Sequence, residues 1–347
     1  MLVSNRDLAR AQKRHEKKLR RKGKKYVPIF PLNYENARDS NRTLLKAPDD
    51  FRLMENRLEV IPYFNDVIRH VDKRTYTLMD LSSIKRVDLP AISLLISLMM
   101  DERAQGDTLR EFLNVRAPKK GTACASIFEK AQFRETVMQL GNADHTHFMS
   151  RLDTSQNLKY SADILKLAET FFGGRSRIRS LNSILTEIFS NTNNHADPTR
   201  DENEDNATPW FISVLEDPEK GKLSFCVIDL GVGVHDSLQQ RGMKMVSEGK
   251  LTRAHFATVF SSSQSMMLRK HIPLGINSST GIAGRGQGLK EIYIRAQEEP
   301  YTRFEMLTNK AWVDMLNLGA TVKDSVDNFE GTVHYWEMEL SDEHANN

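Results

Sequence analysis

Apolar and polar residues recur with a helical period between positions 181 and 196. At about 100° per residue, Leu181, Ile184, Leu185 and Ile188 fall on one stripe, and Glu187, Asn191 and His195, each four apart, fall along its flank. The pattern predicts a helix that buries one face and holds a carboxylate, an amide and an imidazole on the next. Asp197-Pro198 ends it, because proline lacks the amide donor and disfavours helix in the residue before it. A second period through Ile164, Leu165, Leu167 and Phe171 predicts a helix over 158–172, stopped by Gly173-Gly174. Strand-like runs at 210–216 and 223–228 flank Asp217-Pro218-Glu219-Lys220-Gly221-Lys222, which reads as a hairpin. Leu289, Ile292, Tyr293 and Ala296 predict a further helix, and 303–308, 311–315 and 332–340 supply the remaining strands of a mixed sheet.

The earlier part of the chain alternates in the same manner. Leu58, Ile61, Phe64 and Ile68 give a helix over 57–70, or one beginning only at Pro62. A strand is predicted at 75–80, an apolar helix at 92–102 with Leu94, Leu95, Leu98 and Met99 inward, and another strand at 111–115. Alternation of this kind predicts an α/β unit over 50–144, ahead of a larger α/β domain over 155–341. Residues 1–49 read as a basic arm followed by an irregular connector containing Pro28, Pro31 and Pro48.

A length of 347 residues suits two ordinary domains and a tail, and 39% hydrophobic with 27% charged residues predicts a soluble globular protein. The longest apolar run, 89–100, is interrupted by Ser93 and Ser97 and is too short to span a bilayer. Residues 1–7 lack the apolar core of a secretory signal. Cys124 and Cys226 are far apart and form no CxxC pair, so neither a disulfide framework nor a zinc site is indicated. These features predict a cytoplasmic protein with no membrane partner. His145 and His147 lack the further ligands zinc needs and read as a solvated loop.

The net charge of +3 conceals a division. Residues 1–25 hold eleven Lys or Arg against Asp7 and Glu16, a net +9, so the rest of the chain carries −6. Three outcomes fit such an arm: nucleic-acid contact through residues 6–25 by counterion release, folding back on the acidic body, or a solvated tail. No aromatic residue precedes Tyr26 to stack on bases.

Candidate chemistry begins on the 181–196 helix. A carboxylate at Glu187 able to take a proton from water, one turn before an amide oxygen at Asn191 able to ligate a hard cation, suits phosphoryl chemistry with Mg2+. Asp229-Leu230-Gly231-Val232-Gly233 follows the 223–228 strand, and Gly284-Arg285-Gly286-Gln287-Gly288-Leu289 opens the later helix. Each glycine cluster alone marks only a tight turn.

In this order, Glu187-x3-Asn191-x3-His195, Asp229-x-Gly231-x-Gly233, Gly284-x-Gly286-x-Gly288-Leu289 and Gly331-Thr332 resemble the four nucleotide-binding boxes of the GHKL ATPases. That family includes DNA gyrase, the mismatch-repair ATPases, sensor histidine kinases and anti-sigma-factor kinases. The resemblance implies an α/β sandwich that binds ATP and Mg2+. It implies that Glu187 activates water, Asn191 holds magnesium and His195 supports the phosphate end. Asp229 would accept the adenine amino group with Thr332 beside it, and Gly231 and Gly233 would let the backbone approach base and ribose. Gly284, Gly286 and Gly288 would bring amides to the phosphates, near Arg285, Lys290 and Leu289. It also makes the insert of about fifty residues between Val234 and Ala283 an ATP lid, whose serine-rich runs predict mobility. No Glu-Leu-Arg-Thr-Pro-like run accompanies the boxes, so a sensor histidine kinase is not implied.

Leu78-Met79-Asp80-Leu81-Ser82, followed by Val87-Asp88-Leu89-Pro90-Ala91 and a long apolar helix, resembles a STAS-type domain, the fold of anti-sigma-factor antagonists. Where phosphorylated antagonists place a serine after the aspartate, this chain has Leu89. Three functions follow as expectations. The first is a Mg-dependent ATP-hydrolysing switch whose lid closure alters docking of the STAS-like domain, a partner protein or a second subunit. The second is transfer of the γ-phosphate to a partner's serine or threonine. The third is a nucleotide-locked binding platform.

Overall fold

The computed structural model describes residues 42–73, 75–100, 113–133, 137, 147–150, 154–174, 178–195, 210–276, 287–298, 301–320 and 324–339. The basic arm and the first glycines of the Gly284 cluster lie outside them, as do His145, Asn277 to Gly281 and the polar loop after His195.

The N-terminal unit is α/β. Strands β1 (Arg42–Lys46), β3 (Tyr76–Asp80) and β5 (Leu113–Arg116) form a parallel sheet in the order β1-β3-β5, and β2 (Asp50–Phe51) pairs in parallel with β4 (Arg86–Val87). Parallel neighbours require crossovers, and helices α1 (Arg57–Asp72) and α2 (Leu89–Met100) supply them. Helix α3 (Ala123–Lys130) follows β5 and is capped by the Thr122 hydroxyl, which accepts from Ala125 N at 3.2 Å. β1 falls in the stretch read as an irregular connector; its charged ends hide a short edge strand. Helix α1 begins at Arg57, before Pro62, because its buried residues Val60, Ile61, Phe64 and Val67 hold one face against the sheet.

Asp88 precedes α2 and is committed to backbone donors. Its Oδ1 accepts from Leu53 N at 3.0 Å and Ala91 N at 2.9 Å, and its Oδ2 accepts from Met54 N at 3.1 Å. One carboxylate therefore caps α2 and fixes the loop before α1.

The C-terminal sheet contains β6 (His147–Ser150), β7 (Trp210–Asp217), β8 (Lys222–Asp229), β9 (Tyr301–Asn309), β10 (Ala311–Asp314) and β11 (Phe329–Glu339) in the order β10-β9-β11-β8-β7-β6. Every neighbouring pair is antiparallel, which corrects the expectation of a mixed sheet. β8 and β9 do run in the same direction, but β11 lies between them and is antiparallel to both. His147, expected in a solvated loop, opens β6 opposite Ser213, so this sheet begins before residue 155.

Side chains alternate across the sheet. One face packs on helices α4 (Thr154–Phe172) and α5 (Arg179–His195), with Phe225, Trp336 and Phe304 stacked across three strands at centroid distances of 5.1 and 5.4 Å. The opposite face carries Phe211, Cys226, Ile228, Leu307, Val333 and Tyr335 and shares its core with the N-terminal unit. Helix α2 lies over β7 and β8, and the buried Ser93 hydroxyl donates to Ser213 Oγ at 2.9 Å. Arg303 adds a charged bridge, contacting Glu55 at 2.8 Å and Glu305 at 2.7 Å while its guanidinium lies 4.9 Å from the Tyr335 ring centroid. Arg57 reaches the same boundary, 5.0 Å from the Trp312 ring centroid.

Between β8 and β9 lie α6 (Val234–Ser247), α7 (Arg253–Val259), α8 (Gln264–His271) and α9 (Gln287–Ala296). The serine-rich run at the start of α8, expected to be mobile, is anchored. Asp324 accepts from Gln264 N at 2.6 Å and Ser265 N at 2.9 Å, Ser265 Oγ accepts from Trp312 N at 3.1 Å, and Arg269 Nε donates to Leu318 O at 2.5 Å. The Ser263 hydroxyl also accepts from Met266 N at 3.3 Å, so Ser263 and Ser265 serve a helix start and a strand edge. Among the described residues no helix is long and apolar enough to cross a membrane.

A core shared by both units predicts one cooperative calorimetric transition. Leu95, fully buried on α2, tests the sharing. Leu95→Ala should cost about 2–5 kcal/mol and lower the Tm of the whole molecule by about 3–7 °C. Two separated transitions, with only one shifted, would contradict a common core.

Candidate functional site

Helix α5 is positioned by its apolar stripe. Leu181, Ile184, Leu185 and Ile188 are buried against the sheet, Ser180 Oγ lies 2.9 Å from Tyr301 OH, and Phe189 stacks on Trp210 at 4.2 Å. This packing turns the flank carrying Glu187 and Asn191 toward α9. There the two helices meet at a glycine. A Cβ on Gly288 would lie 2.7 Å from Glu187 Oε2 and 3.0 Å from both Asn191 Oδ1 and Nδ2. The absent side chain lets the Glu187 carboxylate and the Asn191 amide pack directly against the backbone of α9. An open cleft of about 410 Å³ runs between α5 and α9, lined by Asn182, Thr186, Glu187, Lys290, Glu291 and Ile294.

A second group lies at one end of the sheet, on the face covered by α5. Trp210, Asp229, Thr332 and Thr308 form a row across four strands, since Trp210 and Thr332 both pair with Asp229 and Thr332 pairs with Thr308. Asp229 is 8% exposed, and its Oδ1 accepts from Gly231 N at 3.1 Å. Gly331 has a φ of +132°, and a Cβ there would strike the Asp229 carbonyl oxygen. Glycine at 331 is therefore what lets β11 approach the Asp229 backbone.

The turn after Asp229 is held from β9. Thr308 Oγ1 accepts from Val234 N at 2.8 Å and donates to Gly331 O at 3.1 Å. Asn309 is fully buried with a left-handed φ of +53°. Its Oδ1 accepts from His235 N at 3.1 Å and Asp236 N at 3.3 Å, while Nδ2 donates to Val232 O at 2.8 Å. Gly233, with φ of +78°, packs its Cα against that amide, where a Cβ would lie 2.5 Å from Asn309 Oδ1. The sequence offered Thr308 only as the end of a strand and did not single out Asn309. Their part in holding the Asp229 turn depends on β9 reaching the start of α6.

Of the residues singled out by sequence, Glu187, Asn191 and Gly288 meet between α5 and α9, and Asp229, Gly231, Gly233 and Thr332 gather at the end of β8. Leu289 is buried in the apolar core with Ile292, which makes it a packing residue. His195 is the last residue of α5, with its side chain outside the described part, and Gly284, Arg285 and Gly286 lie outside the described residues altogether. One row further in from Thr332 stands His334, buried between Val227 and Met306. Burial pushes its imidazole from the ordinary 6.5 down to about 4, so the ring is neutral at physiological pH.

No family model and no curated protein matches the chain.

Two outcomes follow. Asn309→Ala removes the partner of one buried and two part-buried backbone groups and puts alanine in a left-handed conformation, and should destabilise by about 3 kcal/mol or more in denaturant titration. Asn309→Gly keeps the conformation accessible and isolates the side-chain bonds. His334 has a depressed folded pKa, so its contribution is complete above pH 6.5 and is lost as pH falls toward about 4. The fall amounts to about 3 kcal/mol over that window, and His334→Val should flatten that part of the stability profile.

Proposed function

We propose that this chain is an ATP-binding switch of the GHKL type that hydrolyses ATP with Mg2+, joined to a STAS-like N-terminal unit. The observation that carries the proposal is the contact of Gly288 with Glu187 and Asn191. Two sequence segments about a hundred residues apart, each weak alone, share one point between two helices. The Asp229–Thr332 pairing supports it from the sheet side.

In this reading the Asp229 carboxylate accepts the adenine amino group. A buried charged acceptor contributes on the order of 1.5–3 kcal/mol, and it repels guanine, which presents a carbonyl at the same place. The Gly231-N to Asp229 bond holds the carboxylate for that contact. Glu187 takes the proton from attacking water. Asn191 and the phosphate oxygens would hold Mg2+, which when bound neutralises charge on the phosphates. Gly284 and Gly286 would offer backbone amides to the phosphates, with Arg285 and His195 as nearby polar groups. The STAS-like unit occupies the sheet face opposite α5 and α9, so lid closure acts on the docking of a partner protein or second subunit.

A second reading, transfer of the γ-phosphate to a partner's serine or threonine, is favoured by the open cleft that Glu187 lines. A hydroxyl-bearing side chain entering there would meet the same base as water.

Titration calorimetry with Mg·ATP and Mg·GTP should give binding of ATP only; no heat from ATP sinks the proposal. With γ-labelled ATP, hydrolysis releases free phosphate, whereas the second reading labels an added partner. Glu187→Ala should abolish turnover and leave ATP affinity nearly unchanged. Gly288→Ala should displace Glu187 and lower turnover at least about tenfold, since a misplaced catalytic group can cost about 10²-fold. Wild-type turnover in either variant removes Glu187 from its assigned place.

A further inference from the structure

His334 differs from its neighbours on the face of the sheet that α5 covers. Its row, Ile212, Val227 and Met306 on the flanking strands, is otherwise apolar and fully buried. His334 itself is 4% exposed, and its Nδ1 has no hydrogen-bond partner among the described residues. An unpaired buried polar nitrogen is costly, and native structures usually give such a group a partner. Trp336 Nε1, a row deeper, is also without a partner among the described residues, but that ring is closed inside the Phe225–Trp336–Phe304 stack. His334 lies at the boundary between that stack and the polar row of Asp229, Thr332 and Thr308.

Spacing then decides what could reach it. Residues two apart on one strand face lie about 7 Å from each other, close to the breadth of a purine with a hydrogen bond added. A base whose amino group meets Asp229 and whose rings lie along β11 therefore presents a ring nitrogen to the next row. A neutral imidazole has one donor and one acceptor nitrogen, and either tautomer is available to a heteroaromatic edge. We propose that His334 is a second base-reading residue, whose imidazole hydrogen-bonds a ring nitrogen of the adenine held by Asp229. This rests on the ATP-binding reading above. It adds that recognition extends beyond the amino group into the ring, from a row of the sheet that is otherwise apolar.

The test is calorimetry on the full chain with ATP and with its 1-deaza, 3-deaza and 7-deaza analogues, each of which replaces one ring nitrogen by carbon. The wild-type protein should bind one of the three about tenfold or more weaker than ATP, as expected when a site built for a hydrogen bond meets a ligand lacking it. His334→Val should bind ATP about tenfold weaker and bind that analogue and ATP alike. Equal binding of ATP and all three analogues by the wild-type protein overturns the assignment without needing any variant to fold. Discrimination that persists unchanged in His334→Val, with a melting curve confirming its fold, also overturns it and leaves His334 as a core residue. Absence of ATP binding by the wild-type chain is a different failure, which removes the ATP-binding reading and this inference with it.

Discussion

The position of β11 between β8 and β9 governs the rest of the structure. Because β11 comes last among the described strands yet lies between β8 and β9, the segments before it must leave a slot. Gly331 sets the register in that slot by packing where a side chain would strike the Asp229 carbonyl oxygen. With that register, Thr332 stands opposite Asp229 and His334 opposite Val227. A slip of one residue would send Thr332 and His334 to the opposite face, toward the N-terminal unit, because side chains on a strand alternate. The polar row at the end of the sheet thus depends on a glycine that contributes only its backbone.

Burial on both faces makes this register hard to change. The Phe225–Trp336–Phe304 stack fills one side, and Cys226, Val333 and Tyr335 meet the N-terminal unit on the other. The Arg303 bridge to Glu55 and Glu305 ties the units by charge where the apolar contact ends. An N-terminal unit seated in this way is a backing plate for β7 and β8. A switch built on such a sheet would express itself through the other face, where α5, α9 and the inserted helices lie. Thr308 and Asn309 join that face to the sheet by holding the Asp229 turn and the first turn of α6 together.

Helix α5 was legible in full, because its apolar stripe and polar flank repeat over several turns and one face is buried. The β7–β8 hairpin was legible for a similar reason: two apolar runs enclose a turn that no long-range contact needs to specify. Helix α2 was found as a helix, but the meaning of its composition was missed. A segment that is apolar almost all round must be covered on every side, and here the second cover is the C-terminal sheet. β1 and β6 were not found; short edge strands with polar or charged residues carry little periodicity. The helices of the insert were not found, and the run 261–265 was read as mobile from its serine content, whereas Ser263 and Ser265 are the residues that fasten α8.

The chain by itself determined the type of the strongly periodic elements, α1, α2, α4, α5, α9 and the β7–β8 hairpin, and the order in which candidate chemistry appears, because period and local turn residues act over a few positions. Only the tertiary structure decided which of those residues meet. The sheet is wholly antiparallel because a terminal strand was inserted at its centre. Glu187 and Asn191 share a point because α9 crosses α5 at a residue without a side chain. His334 is buried beside Asp229 and Thr332 because of pairings between strands distant in sequence. Such contacts are fixed by packing across the core, and no local pattern along the chain encodes them.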